Sequence, residues 1–191
     1  MKKYILFLMA LLVSTFVWAN DFHFGVKTYK EAEKSPNFVR FDMQSTKLGM
    51  LTTGFTGFVK EFAVSADPSA EGFKNARITF QAQAMDTDVN ARNEKMWDLC
   101  LDYKKHPQMV LTLDGLVPLT GTEAILQGTL NVRGETKPVA VKVKSQEVSG
   151  QYVVDGESTL DIFELGLPDP SIFVANVDPK VKLKFHLAVP K

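Results

Sequence analysis

Three histidines are the residues best suited to bind a metal, but their spacing does not support a metal site. His23, His106 and His186 occur singly, and none has a second histidine at i+2 or i+4 with which to form a metal-binding face. An Asp-Thr-Asp run at residues 86–88 resembles the start of a calcium loop, yet the glycine and terminal glutamate of such a loop do not follow. A turn before a helix explains the run better. We therefore predict no metal and no cofactor.

The nucleophiles and phosphate-binding loops of enzymes are also missing from the sequence. There is no Gly-x-Ser-x-Gly motif around a serine. The Gly-Phe-Thr-Gly run at residues 54–57 lacks the lysine and the following helix of a phosphate-binding loop. Cys100 is the one cysteine, and its apolar neighbours favour a buried, unreactive thiol. These observations predict no catalytic residues and no enzyme activity.

Apolar side chains carry most of the remaining chemistry. The sequence contains 14 phenylalanines and 7 methionines among its 191 residues. Such residues either fill an ordinary core or line a concave site for an apolar ligand, and the pattern alone favours core filling. The 22 basic and 22 acidic residues balance. The chain therefore lacks the net positive charge with which proteins bind nucleic acid.

The first 19 residues have the features of a secretory signal peptide. Two lysines at positions 2 and 3 precede an apolar stretch at residues 4–17, and Val-Trp-Ala at 17–19 places small or aliphatic residues where signal peptidase reads the chain. The apolar stretch is shorter than the ~20 residues that span a bilayer, which disfavours a membrane anchor. We expect cleavage after Ala19, export to the periplasm, and one domain over residues 20–191 that does not span the membrane.

Apolar and polar residues alternate with a period of two through most of residues 20–191, which is typical of strands with one buried face. No βαβ rhythm interrupts them, so an antiparallel sheet is expected, and eight strands can close as a sandwich or as a barrel. The expected strands lie at residues 39–44, 51–65, 77–84, 109–113, 126–133, 139–144, 154–162 and 181–189.

Residues 51–65 are the ambiguous segment, because four of their apolar side chains also fit helical spacing. Threonines and glycines crowd the same stretch, and these residues are poor helix formers. We predict one long strand with a glycine bulge.

Residues 91–103 form the one clear helix of the sequence. Met96, Leu99, Cys100 and Tyr103 share a face, and Asp88 or Asn90 is expected to cap the start. A second short turn or helix is expected around residues 168–173, where prolines interrupt any strand.

Several motifs in order along the chain resemble the YceI-like family. Two runs resemble the opening strands of that family: Phe-Val-Arg-Phe-Asp-Met-Gln-Ser-Thr-Lys at 38–47 and Gly-Phe-Thr-Gly-Phe at 54–58. The run Ala-Arg-Ile-Thr-Phe at 76–80 resembles the third strand. The most specific match is the strand–turn–strand segment Gln-Gly-Thr-Leu-Asn-Val-Arg-Gly-Glu-Thr-Lys-Pro-Val at 127–139. Leu-Gly at 165–166 and the strand at 181–189 also fit.

The resemblance implies an all-β fold: a single extended antiparallel eight-stranded lipocalin-like barrel with one inserted helix. It implies an exported binding protein whose apolar cavity holds a long-chain lipid, either a polyisoprenoid, an isoprenoid quinone or a fatty-acid derivative. A ligand cavity therefore becomes preferred over a packed core. The residues expected to line it are Phe41, Phe55, Phe58, Ile78, Phe80, Leu111, Leu113, Leu126, Leu130, Val141, Leu160, Ile162, Leu183 and Phe185.

The sequence departs from the family pattern at the helix. Asn93 stands where an aspartate often follows the arginine, and residues 99–101 lack the usual paired phenylalanines. Both changes bear on the shape of the cavity mouth and so on the ligand. Two alternatives to a lipid carrier stay open. One is a non-catalytic interaction module with a packed barrel, which acts through its outer face or as a homodimer. The other is a lipid-modifying enzyme that uses His186 or Asp161.

Overall fold

The computed structural model describes residues 20–191, in which thirteen strands and two short α-helices are present. The expected signal peptide, residues 1–19, lies outside the described residues. The strands are β1 (Asn20–Gly25), β2 (Phe38–Lys47), β3 (Leu51–Val59), β4 (Glu61–Ser69), β5 (Gly72–Gln81), β6 (Met85–Asp86), β7 (Gln108–Leu113), β8 (Leu116–Pro118), β9 (Glu123–Val132), β10 (Glu135–Val148), β11 (Gln151–Asp161), β12 (Ala175–Val177) and β13 (Lys180–Pro190). The helices are α1 (Tyr29–Lys34) and α2 (Asn90–Lys95), and α2 continues as a π-helical turn over Met96–Cys100.

The strands form one antiparallel sheet that curls into a barrel. Its order is β1-β4-β5-β7-β9-β10-β11-β13-β2-β3-β6, with β8 beside β5 and β12 beside β2. β3 and β4 are successive parts of one bent strand. β4 pairs with β5 near one end of this order, and β3 pairs with β2 near the other, so the bent strand joins the two ends and closes the sheet. When β3 and β4 are counted as one strand, eight strands surround the interior, one for each strand predicted from the sequence. The predicted antiparallel, lipocalin-like barrel is confirmed, although the sheet has more strands than the eight predicted, because β1, β6, β8 and β12 lie outside this count.

The predicted long strand at residues 51–65 bends sharply and is divided at Lys60. Before the bend β3 pairs with β2, and after it β4 pairs with β1 and β5. The Lys60 N–H donates to the Ala84 carbonyl at 2.8 Å, and its carbonyl accepts the Val26 N–H at 2.9 Å. These bonds keep the backbone polar groups paired through the corner, which is a condition for burying a bent strand.

Burial follows the predicted alternation along the strands. In β10, Val139, Val141 and Val143 are buried, whereas Ala140 and Lys144 are exposed. In β13, Phe185, Leu187 and Val189 are buried in the same way. The buried faces meet in one apolar core that runs through the barrel. Burial of these side chains contributes roughly 25 cal/mol for each Å² of apolar surface removed from water.

The predicted helix at residues 91–103 exists, but its second half is not α-helical. The chain widens into a π-helical turn over Met96–Cys100. This shift turns Leu99 outward, where it is 42% exposed, while Cys100 and Leu101 are buried. The expected cap is also wrong: Val89 is the N-cap residue, and no side chain caps the helix.

Helix α1 was not expected from the alternation, although the sequence contains its signal. The Thr28 hydroxyl accepts the Glu31 N–H, and the Glu31 carboxylate accepts the Thr28 N–H, which together form a capping box. Residues 168–173 form no helix; the chain there is irregular, with turns at residues 162–166 and 173–174. Among residues 20–191, no helix has the length and apolar character needed to cross a bilayer.

Candidate ligand-binding cavity

A cavity of about 380 Å³ lies inside the barrel. Inward-facing side chains of β2, β5, β7 and β13 form its walls, and α2 and the segment 165–177 cover one end. Only five lining residues are polar: Ser45, Lys47, Thr87, Arg92 and Lys95. A concave, mostly apolar site with few polar groups is the form that small-molecule sites usually take.

The cavity opens at the end that α2 covers. Lys47, Ala91 and Ile172 line the cavity and are exposed to solvent, and all three lie at this end. At the other end the lining consists of Ile78, Leu111 and Phe185, which are buried. The cavity is therefore a blind tunnel with one mouth.

Two aromatic rings of the wall lie directly over glycines of the neighbouring strand. A Cβ atom at Gly57 would overlap the ring of Phe41, and one at Gly156 would overlap the ring of Phe185. Each glycine is the cross-strand partner of its phenylalanine. The glycines therefore leave room for the rings to lie flat against the wall, so that they do not stand across the tunnel.

A second cavity of about 70 Å³ lies beyond the blind end. It shares Ile78, Leu111 and Phe185 with the main cavity, so these three side chains form a partition between the two spaces. The remaining walls of the second cavity are almost entirely apolar and include Phe73 and Leu187.

The polar residues of the main cavity gather at its mouth. The Arg92 guanidinium lies over the Phe55 ring, 4.0 Å from its centroid, and Arg92 Nη1 donates to the Thr87 carbonyl at 3.5 Å. Lys95 Nζ donates to the Ser171 carbonyl at 3.1 Å. Lys47, at the end of β2, is exposed. We call Lys47, Arg92 and Lys95 the cationic rim.

Exposed apolar side chains surround the mouth outside the cationic rim. These side chains lie in or next to two neighbouring turns, which are joined by a hydrogen bond from the Leu48 N–H to the Val174 carbonyl. Met50 is 87% exposed and Phe173 fully so. We call this patch the apolar edge; its members are Leu48, Met50, Leu51, Ile172, Phe173 and Val174.

Ten of the fourteen residues predicted to bind the ligand line the main cavity. They are Phe41, Phe55, Ile78, Phe80, Leu111, Leu130, Leu160, Ile162, Leu183 and Phe185. Leu113 lines the second cavity, whereas Phe58, Leu126 and Val141 line neither. Ligand contact by these residues stays a prediction.

The three residues outside both cavities are buried or partly buried for other reasons. Phe58 follows inward-facing Gly57 and so points away from the interior, where it packs edge-on against Tyr29 of α1 at a ring distance of 5.4 Å. Leu126 and Val141 are cross-strand partners in β9 and β10 and belong to the packed part of the core. Alternation alone could not show that α1 covers an outer face.

Much of the cavity lining was missed by the sequence reasoning. Val39 and Met43 lie on the same face of β2 as Phe41, so the alternation contained their signal. Met96 and Leu101 come from the helix and its π-turn. Leu165, Leu167, Pro168, Pro170 and Ile172 come from the irregular segment, and no periodic pattern marks them.

The titratable residues singled out in the sequence are not gathered in the cavity. His186 lies on the outer face, where Nδ1 is 2.7 Å from Asp155 Oδ1. Cys100 is buried in the cavity wall, and burial raises the pKa of its thiol. In the part of the chain that the structure describes, no three His, Cys, Asp or Glu side chains come together as a metal site would require.

A family model for the YceI-like domain matches residues 29–189, from the start of α1 almost to the end of β13. No curated protein matches the chain.

Solved structures share the fold at low sequence identity. BcnA of Burkholderia cenocepacia is 22% identical with a TM-score of 0.63, and the match covers 79% of this chain and 96% of that one. A polyisoprenoid-binding domain from Saccharophagus degradans, implicated in plant cell wall breakdown, is 13% identical with a TM-score of 0.61, covering 81% and 98%. The Campylobacter jejuni YCEI protein is 15% identical with a TM-score of 0.61, covering 71% and 84%.

Proposed function

Because this chain belongs to the YceI-like domain family, we propose that it binds or carries a long-chain apolar lipid in its barrel cavity. The observation that carries this proposal is the blind tunnel of about 380 Å³, whose lining is apolar except for five residues at or near the mouth. A tunnel with one mouth suits a ligand with a long tail and a single polar end.

The ligand classes that we propose are polyisoprenoids, isoprenoid quinones and fatty-acid derivatives. The Saccharophagus degradans domain, which has the same fold, is described as polyisoprenoid-binding, and this supports the first two classes. Affinity would come from apolar surface removed from water, at roughly 25 cal/mol per Å² before the ordering of the chain is subtracted. The walls hold no catalytic arrangement that the sequence or the described side chains identify, so we propose binding without chemistry.

We also propose that the chain is exported to the periplasm after removal of residues 1–19. The paired lysines, the apolar stretch and the Val-Trp-Ala end support this proposal. The N-terminal sequence of protein recovered from the periplasmic fraction should begin at Asn20. A chain that keeps residues 1–19 or stays in the cytoplasm would contradict it.

Native mass spectrometry tests the carrier proposal directly. Protein purified from the periplasm should carry about one apolar adduct per chain, and lipid extraction should release it. Protein without an adduct that also ignores offered isoprenoids and fatty acids would contradict the proposal.

A pair of tryptophan variants provides the matched control for that experiment. Leu183→Trp adds volume inside the tunnel and should abolish the adduct, because Leu183 lines the cavity. Ile125→Trp adds the same ring to an outward position that is 72% exposed and should leave the adduct unchanged. Thermal unfolding of both variants separates loss of the site from loss of the fold.

The apolar edge favours one second candidate function, an interaction module. Large exposed apolar patches often mark interfaces between proteins. A homodimer through the apolar edge would cover the mouth of each tunnel. A stable dimer purified without lipid, and indifferent to added lipid, would support this alternative over the carrier.

A further inference from the structure

The polar part of the tunnel carries charge of one sign. Arg92, Lys95 and Lys47 line the cavity, and no carboxylate among the described residues does so. None of these three cations forms an ion pair with a described acid. Other described cations, such as Lys30 and Lys74, also form no ion pair, but Lys47, Arg92 and Lys95 are the ones among the described residues that line the cavity.

Arg92 is partly buried, and most of its N–H donors have no partner among the described residues. A guanidinium has five N–H donors, and the single side-chain hydrogen bond of Arg92 is the long one to the Thr87 carbonyl. The nearest acids in sequence, Glu94 and Asp88, form no ion pair with Arg92, and Asp86 is already held by Lys60 at 3.0 Å. Burial lowers the pKa of Arg92, as it does for a cation withdrawn from water without an anion beside it.

Lys95 lies one helical turn beyond Arg92 and faces the same opening. One of its three N–H groups reaches the Ser171 carbonyl. The pKa of Asp169 is lowered mainly by hydrogen bonds from Ser171, and Lys95 contributes less. These hydrogen bonds already occupy the Asp169 carboxylate. Lys95 therefore keeps donors available toward the mouth.

We infer that the cationic rim binds the ionised head group of an amphiphile whose hydrocarbon tail fills the tunnel. The inference rests on the proposed lipid-carrier function and narrows its ligand to a long-chain carboxylate or phosphate. Either anion accepts paired hydrogen bonds from a guanidinium, and such charge-assisted bonds are about twice as strong as neutral ones. A neutral quinone or alcohol would leave the partly buried cation of Arg92 without a counter-charge.

Ligands that differ only in the head group test the inference. Palmitate, hexadecyl phosphate and hexadecanol share one tail, and their affinities for the delipidated chain can be measured by calorimetry. We expect both anions to bind about tenfold or more tightly than the alcohol, a gap of about 1.4 kcal/mol. The ratio of the two anions then shows whether carboxylate or phosphate is preferred.

Variants of the cationic rim show whether this preference arises there. Arg92→Gln should weaken palmitate about tenfold and hexadecanol by less than about threefold. Arg92→Lys keeps the charge and should recover part of the loss, while Lys95→Gln should show a smaller loss of the same kind. Lys30→Gln removes an equal charge from exposed α1 and should change neither ligand.

Each result separates this inference from the carrier proposal. Equal binding of palmitate and hexadecanol, or equal losses of both in a folded Arg92→Gln variant, would overturn the head-group inference and leave the carrier intact. Failure of all three ligands to bind the unsubstituted chain would count against both.

Discussion

Asn93 uses its whole amide group to tie the start of α2 to the barrel. Its Oδ1 accepts the Thr87 N–H at 2.8 Å and the Thr87 hydroxyl at 2.7 Å, and its Nδ2 donates to Asp86 Oδ1 at 2.8 Å. The side chain is 3% exposed, so each lost bond would leave a buried polar group without a partner. Arg92, the next residue toward the N-terminus, is thereby held over Phe55.

Asp86 is the ionised member of this network. Burial acts to raise its pKa, but the hydrogen bonds from Asn93, the Asp88 N–H and Lys60 outweigh burial and hold the pKa below the ordinary value of 3.8. A carboxyl whose folded pKa is lowered stabilises the fold above its unfolded pKa, and this contribution is lost as the pH falls through the folded pKa. The anchor of α2 should therefore persist at neutral pH and weaken only in acid below about pH 4.

Asn93→Asp should destabilise the protein at pH 7 by about 1–3 kcal/mol. The substitution replaces the amide donor with a second carboxylate beside Asp86, so a hydrogen bond becomes a repulsion between like charges. Urea unfolding at pH 7 and pH 4.5 measures the effect. The deficit should shrink at pH 4.5, because protonation of the new carboxyl restores a donor.

Asn90→Asp provides the control for that substitution. It introduces the same charge in the exposed first turn of α2, where a carboxylate suits the helix dipole. Its stability should stay within about 0.5 kcal/mol of the unsubstituted chain. Equal stability of both variants would mean that the Asn93 amide does not anchor the helix.

At the scale of elements, neighbouring strands fit together through paired glycines and aromatic rings. Phe41 of β2 lies over Gly57 of β3, and Phe185 of β13 lies over Gly156 of β11. The two pairs lie on either side of the β2–β13 contact. In each of these two strands, an aromatic ring therefore lies flat against the wall of the tunnel.

Gly57→Ala should cost about 1–3 kcal/mol, because its Cβ would displace the Phe41 ring from a packed wall. Gly54→Ala in the same strand is the matched control, since its Cβ would meet nothing closer than the Met43 carbonyl oxygen at 3.8 Å. Urea unfolding of the two variants measures the difference. Equal stabilities would show that the ring moves aside freely.

The elements that could be predicted from sequence are those with a period. Two-residue alternation identified the strands of the ring other than β3 and β4, because one face of each is buried against the core. The segment of β3 and β4 was predicted as a strand from its threonines and glycines. The corner at Lys60 and the π-turn after Lys95 left no periodic mark, since both depend on hydrogen bonds to distant segments or on a local widening of the helix. Helix α1 was detectable from Thr28 and Glu31, but its six residues are too few for a periodic signal.

For the candidate site too, residues on periodic elements could be predicted from the sequence and the others could not. Strand residues such as Phe80 and Leu183 were predictable as lining because strand geometry fixes the face of each side chain. Arg92 and Lys95 were not, because their position at the mouth depends on how α2 folds back over the barrel. The segment 165–177 was equally unpredictable, since its prolines and turns set the direction of each side chain individually.

For the whole molecule, the partition formed by Ile78, Leu111 and Phe185 sets the usable length of the tunnel. The main cavity of about 380 Å³ stops there, and about 70 Å³ of apolar space lies behind it. Phe185 is the largest side chain of the partition and is 3% exposed. The length of tail that the protein accepts should therefore depend on this one ring.

Phe185→Ala should join the two cavities and shift the bound lipids toward longer tails. The variant should also lose about 3–5 kcal/mol of stability from the buried ring. Phe58→Ala removes an equally buried ring outside both cavities, so it should show a similar loss of stability without a change of tail length. Native mass spectrometry with a series of fatty acids measures the preference, and an unchanged profile for Phe185→Ala would contradict the partition.

The position of β13 governs when the barrel can be completed. This last strand lies between β11 and β2. Leu183 therefore lies opposite Phe41, a residue roughly 140 positions earlier in the sequence. Until β13 arrives, β2 and β11 each present an unpaired edge, and such edges invite pairing with other chains. Closure of the barrel should therefore be a slow step of folding, and the protein should be most prone to aggregation just before β13 pairs with its neighbours. A chain ending before Lys180 would stay at that stage, and its cavity would have no wall on one side.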